Sequence, residues 1–174
     1  PAQDVEMINL VFLTARFPVW SLVFCDVSDA VGAGTPGEST WILEALMKDG
    51  SDLLTYIPLR DEAALLEAWK AEVGDSISLS LGGKIDTIYN KPLDFTGKIE
   101  FRDNTKQGKT VIVSQDGIQL ILTELPMTVR YPYELKDLGL KLMKADIIVV
   151  KNLFPFRYRF IAYNRKTINI MTPG

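Results

Sequence analysis

The sequence contains no histidine and a single cysteine, Cys25, among its 174 residues. Without histidine the chain cannot build a Ser-His-Asp or Cys-His catalytic apparatus from its own residues, nor a zinc site of the Cys/His type. One cysteine cannot close an internal disulfide, which excludes the framework of a small secreted domain. Long apolar runs are missing too. The longest, over residues 17–25 and 147–150, are strand-sized, well short of the roughly 18 apolar residues that mark a membrane-crossing helix. Positive charge is not in excess, with 19 Lys+Arg against 22 Asp+Glu and a net charge of −3, so neither nucleic acid nor an anionic membrane is an expected partner. No charged, apolar and small-residue signal pattern opens the chain, and a cytoplasmic setting is expected. A first residue of Pro1 rather than Met is what a processed product or a fragment of a longer chain would show, and a removed initiator looks the same.

What is present reads as one domain with a core of its own: 47% hydrophobic residues, 24% charged, 12 Gly and 9 Pro. Residues 1–16, apolar over 7–12, are read as a connecting segment, and 17–174 as the domain. A buried strand is expected over 19–25, followed by a glycine-rich loop. A helix then carries Ile42, Leu43, Leu46 and Met47 at helical spacing and stops at Gly50. A strand over 53–59 precedes a second helix, capped by Asp61, with Leu65, Leu66 and Trp69 as its stripe.

After Gly74 the period changes to two. Ile77, Leu79 and Leu81 alternate with serines, and Leu93, Phe95, Gly97, Ile99 and Phe101 alternate with polar residues. Segments 109–114 and 118–123 flank Gln115-Asp116-Gly117, a hairpin in which glycine is expected to supply the positive φ. Residues 103–109 are read as a polar hairpin loop. A short helix over 133–138 ends at Gly139, and strands follow over 147–151 and 167–171. The fold class is α/β: a mixed, partly parallel sheet with flanking helices and an antiparallel hairpin and meander extension.

One segment has the makings of a site. Asp26, Asp29, Gly32, Gly34, Pro36, Gly37, Glu38, Ser39 and Thr40 fall between a strand and a helix. Glycines there allow close backbone approach, and a helix start presents N–H groups to a carboxylate or phosphate. It is not a nucleotide loop. The glycines match G-x-G-x-x-G only by count, Pro36 removes an N–H, Glu38 puts negative charge where a pyrophosphate would lie, and no Lys follows as a P-loop requires. A purely structural loop capping the helix from Glu38 or Ser39 is the plain alternative. Asp26 and Asp29 form either a carboxylate pair or a pair of loop anchors.

Lys151 and Arg157, just beyond a buried strand, face the same crevice if Asp26 and Lys151 end adjacent parallel strands. The aromatic and basic stretch over 154–163 suits single-stranded nucleic acid in composition, but the acidic balance favours aromatic packing with arginines paired to acids. Cys25 reads as a small buried hydrophobe, and Trp20, Trp41 and Trp69 as core or interface anchors.

The loop resembles the start of the C-terminal domain in the microcystinase C (MlrC) family, whose pattern runs D-x-x-D-N-x-G-G-G-x-P-G-D-[ST]-T. Asp26, Asp29, Gly32, Gly34, Pro36, Gly37, Ser39 and Thr40 fit it, while Ala30, Ala33 and Glu38 depart from it. Further blocks keep the family order: Gly82-Gly83-Lys84, Lys91-Pro92-Leu93, Asp116-Gly117-Ile118, Leu122-Thr123, Val149-Val150-Lys151 and Thr172-Pro173-Gly174. They cover residues 19–174. Pro155 stands where the family usually has a His.

The resemblance implies a fragment of a protein classed as a zinc metallopeptidase that cuts linearised microcystin and short peptides. Its metal ligands, His with acidic residues, would lie in an absent N-terminal domain. This chain would then hold no catalytic residue and no metal. Its partners would be its own N-terminal metal-binding domain and a small peptide-like substrate, with the 26–40 loop shaping the cleft through backbone N–H groups. The oligomeric state is not implied. A stand-alone domain that binds a small anion or carboxylate, without catalysis, is the alternative.

Overall fold

The computed structural model describes residues 21–152 and 156–173, without the side chains of Phe156 and Arg157. The connecting segment expected over 1–16, Trp20 and the residues around Pro155 lie outside the described residues.

Eight strands form one sheet: β1 (Ser21–Asp26), β2 (Thr55–Leu59), β3 (Ser76–Leu81), β4 (Leu93–Thr105), β5 (Gly108–Gln115), β6 (Ile118–Thr123), β7 (Ile147–Val150) and β8 (Asn164–Ile170). Their order is β3-β4-β5-β6-β2-β7-β1-β8. From β6 to β8 all neighbours are parallel, whereas β3, β4 and β5 add to β6 as an antiparallel meander. The expected mixed α/β sheet with its antiparallel extension is what forms. β1 is buried along its whole length and lies between two parallel partners, so its sequence is a continuous apolar run.

Helices α1 (Trp41–Asp49) and α2 (Glu62–Ala68) cover one face of the sheet. Ile42, Leu43, Leu46, Ala64, Leu65 and Ala68 pack there on Leu22, Phe24, Ile57, Leu59 and Leu120. On the other face Val23, Cys25, Ile121, Ile148 and Val150 meet Met127, Val129, Leu138, Leu142 and Leu135, the last from the short helix α3 (Pro132–Lys136). Alternate residues of β1 therefore feed two separate cores, as period two requires. Phe160, just after α4 (Phe156–Arg159), completes the second core.

Several local expectations need correction. Leu66 is 45% exposed, and the buried face of α2 is instead Ala64, Leu65 and Ala68; leucine's apolarity misled where a small alanine met the sheet. In the β5–β6 turn the positive φ belongs to Asp116, at 51°. Gly117 is required for a different reason, since a Cβ there would lie 2.4 Å from the Leu53 carbonyl oxygen. The 103–109 hairpin loop shrinks to Lys106 and Gln107, because β4 runs to Thr105 and β5 begins at Gly108. In the aromatic stretch Arg159 lies 3.9 Å over the Tyr131 ring, a cation–π contact where pairing to an acid was expected.

Pro58 within β2 marks the opening that positions the site. β2 pairs with β6 as far as Leu59↔Leu122, but with β7 only at Thr55↔Ile147 and Tyr56↔Ile148. The proline, lacking an N–H, sits where the β2–β7 ladder has already stopped. Just beyond it, Arg60 donates its backbone N–H to the Gly37 carbonyl at 2.9 Å. The glycine-rich loop thus lies against the carboxyl end of β2.

Candidate functional site at the carboxyl edge

β1 and β7 are parallel neighbours with Cys25 opposite Val150, so Asp26 and Lys151 leave the sheet side by side. The Lys151 ammonium lies 3.2 Å from Asp26 Oδ2 and 2.7 Å from Asp29 Oδ2. All three side chains are buried: 2% of Lys151, 1% of Asp26 and 6% of Asp29 is exposed. Asp29 also accepts the backbone N–H groups of Gly37 and Ser39, each at 2.8 Å. Its own N–H is donated to Asp26 Oδ1 at 3.2 Å. The two aspartates are loop anchors that share one cation.

Burial alone would raise the Asp29 pKa. The Lys151 charge and hydrogen bond, helped by the two backbone donors, instead hold it below the ordinary value of 3.8. Burial likewise pulls Lys151 down, but the charges of Asp26 and Asp29 hold it above 10.5. An ammonium kept protonated between two carboxylates is no general base, and its charge is already neutralised for an incoming anion. The Arg157 side chain, grouped with Lys151 in the sequence, lies outside the described residues. Cys25 donates its thiol to the Asn152 carbonyl at 2.7 Å from within the core.

The loop's other half is tied to residues distant in sequence. α1 begins at Trp41, with Thr40 at its N-cap making no side-chain capping bond, so neither Glu38 nor Ser39 caps it. The buried Glu38 carboxylate instead accepts three consecutive backbone N–H groups: Lys84 at 3.2 Å, Ile85 at 3.0 Å and Asp86 at 2.5 Å. Successive amides of this kind form a small anion-holding nest, and Glu38 fills it. Asp61 caps α2 through Ala64 N–H at 3.0 Å, accepts Gly82 N–H at 2.9 Å and pairs with the Lys84 ammonium. Thr40 donates to the Lys91 carbonyl at 3.1 Å.

Asp61, Lys84 and Asp86 were not singled out as site residues from the sequence. The signal that could have found them is the Gly82-Gly83-Lys84 block: glycines at φ of 70° and 63° ahead of a lysine mark a loop built for close approach. Replacing Glu38 by Gln leaves one acceptor oxygen for three donors. It is expected to cost about 1–3 kcal/mol, and to speed amide exchange at Lys84, Ile85 and Asp86 more than elsewhere. Uniform exchange across the domain would contradict this assignment of the nest.

Openings flank the loop among the described residues. A groove of about 340 Å³ is lined by Glu38, Arg60, Asp61, Leu66, Lys84 and Ile85. A smaller cleft of about 80 Å³ lies between the loop, Asp86, Asn90 and Thr172. Among the described residues no three His, Cys, Asp or Glu side chains come together as metal ligands. Asp26 and Asp29 have Lys151 between them, and this described pair does not fit a catalytic zinc.

The model of the MlrC C-terminus family matches residues 24–174. The chain belongs to that family. Microcystinase C from Sphingomonas sp. is 25% identical over 179 residues, covering 97% of this chain and 34% of that protein. The crystal structure of a protein designated "putative metallopeptidase" from Mesorhizobium sp. BNC1 matches with a TM-score of 0.87 at 20% identity, over 96% of this chain and 36% of that one. The chain thus spans about a third of the length of each relative. In this member of the MlrC C-terminus family the loop that carried the resemblance is a folded junction, with most of its polar atoms spent on holding itself together. No helix among the described residues is long and apolar enough to cross a membrane.

Proposed function

We propose that this domain belongs to an MlrC-like, metal-dependent peptidase or amidohydrolase of the cytoplasm, and that it shapes the substrate cleft over a zinc site carried by an N-terminal domain. The observation that carries this reading is the 26–40 loop at the carboxyl ends of β1 and β2, bonded from below by Lys151 and from the side by the 82–92 loop. Such a loop offers a partner domain a surface of fixed shape, which orientation of a peptide-like substrate requires. The contribution is through shape and exposed backbone, because the Gly37 and Ser39 N–H groups are already given to Asp29. The same engagement weakens the stand-alone anion-binding alternative, as does the neutralised Lys151.

Gly34 tests the proposal. Its Cβ position has nothing within 4 Å, so a side chain there projects from the loop. In the full-length protein Gly34→Val is expected to lower kcat/KM for a short peptide about tenfold or more, with the fold retained apart from the strain of a φ of 99°. Unchanged activity would remove the loop from the cleft. The 174-residue chain alone is expected to hydrolyse no peptide and to bind no stoichiometric zinc tightly, as judged by elemental analysis.

A further inference from the structure

The small net charge of the chain hides a segregation. Residues 127–174 hold nine Lys+Arg against three Asp+Glu, whereas residues 1–126 hold ten against nineteen. The basic part builds the layer over the second core, to which it contributes Met127, Val129, Leu135, Leu138, Leu142 and Phe160. Arg130, Lys136, Lys141, Lys144 and Arg159 of the same layer are exposed.

The three acids do not offset these cations. Glu134 accepts the Tyr131 N–H at 2.7 Å, and Asp146 accepts the Leu54 N–H at 2.8 Å. Asp137 pairs at 3.4 Å with Lys106, from the β4–β5 turn. Among the described residues no carboxylate pairs with any of the five. Two of them are held by rings instead. Arg159 lies 3.9 Å over Tyr131, which stacks on Tyr133 at 5.0 Å. Lys136 lies 5.0 Å over Tyr163 and donates to its hydroxyl at 2.8 Å. Cations fixed in this way lose little freedom when a partner arrives. The layer also exposes large apolar side chains: 47% of Tyr133, 63% of Met143, 84% of Tyr158 and 71% of Ile161. Arginine with tyrosine and methionine is the composition of protein-binding surfaces.

These features select the partner. Surplus positive charge calls for anionic groups, and exposed apolar side chains call for a partner with apolar groups of its own. Single-stranded nucleic acid needs free ring faces for its bases, whereas Tyr131, Tyr133 and Tyr163 are already engaged by one another or by a cation. A wide anionic membrane would bring its charge up to the acidic remainder of the chain as well.

We propose that the exposed side of the 127–163 layer is a docking surface for an acidic peptide segment, one that mixes Asp and Glu with large apolar residues. It does not depend on the peptidase reading, since neither the 26–40 loop nor zinc takes part.

The test follows the fluorescence anisotropy of a short labelled peptide rich in Glu, Asp, Leu and Phe as full-length protein carrying this chain is added. Saturable binding is expected, weakening as salt is raised. The same peptide with Gln and Asn for its acids should bind about tenfold more weakly or worse. Joint Lys141→Glu and Lys144→Glu substitution should weaken binding about tenfold or more, and Arg159→Glu should do so separately. Lys141 and Lys144 are exposed, so the double variant should fold even if losing the Arg159 contact with Tyr131 destabilises the other. Lys48→Glu, in α1 on the opposite face of the sheet, should change binding by less than about twofold. The proposal is overturned by no saturable binding, by equal binding of the Gln and Asn peptide, or by an equal loss in Lys48→Glu. Tighter binding of oligothymidylate or of phosphatidylserine vesicles than of the acidic peptide would overturn it in favour of a polyanion or a membrane.

Discussion

Replacing Lys151 by Met should cost the domain about 3–5 kcal/mol, a large part of the 5–15 kcal/mol by which ordinary domains are stable. Methionine keeps the length of the side chain, so the loss is not one of packing. It arises because Asp26 and Asp29, 1% and 6% exposed, are left as buried carboxylates without their cation. Denaturant midpoints give the magnitude, and the pH dependence identifies the cause. In the native protein Asp29 titrates below 3.8. Its contribution is therefore present above that pH and lost as pH falls through the lowered value. Lys151 titrates above 10.5, so its contribution is complete below that pH and lost as pH rises through the raised value. Between these limits the native protein should be flat with respect to the pair. The variant should not be flat. Burial without a cation pushes the Asp29 carboxyl upward, and stability should rise as pH is lowered from about 7 towards about 4, where it protonates. A variant within about 1 kcal/mol of the native protein, with the native pH profile, would show that the ion pair does not hold the loop.

The strand–loop–helix unit that carries this pair was legible from local rules. A continuous apolar run gave β1, helical spacing gave α1, and Asp61 announced α2 as its cap, a bond that the Ala64 N–H completes at 3.0 Å. The alternation over 93–101 gave β4, though not its extension to Thr105. What resisted reading was whatever depends on partners distant in the chain. Lys151 could be assigned to the crevice only if β7 lay beside β1, and strand order is not a local property. The role of Glu38 shows the same limit. It reads as a helix-capping acid, or as a charge repelling phosphate, until residues 84–86 bring their N–H groups to it. The cleft drew on Asn90, a polar residue ahead of Lys91-Pro92 that no spacing marks, and on Thr172, which the sequence offered only as part of the Thr172-Pro173-Gly174 block.

Gly82 is where the two loops meet, and its substitution should have the second-largest effect. A Cβ at this position would lie 2.7 Å from Thr40 Cγ2 and 2.8 Å from the Glu38 carbonyl oxygen. The first neighbour can rotate, but the second is backbone and cannot yield without moving the loop that Asp29 and Glu38 hold. The backbone adds its own strain, because φ is 70°, a region that costs a non-glycine residue about 1 kcal/mol or more. Together the overlap and the strain give Gly82→Ala an expected loss of about 2–4 kcal/mol. Gly34→Ala provides the control. Its φ of 99° is also left-handed in sign, yet its Cβ position is open, so it pays the conformational cost alone, about 1 kcal/mol. The difference between the two variants isolates the close approach of the 82–92 loop to Glu38. Hydrogen exchange locates it: in Gly82→Ala the amides of Ile85 and Asp86, which bond the Glu38 carboxylate, should lose protection before those of β1. If both variants lose the same stability and the Glu38 nest stays protected, the two loops are neighbours without being coupled. The 26–40 loop would then owe its rigidity to Lys151 alone.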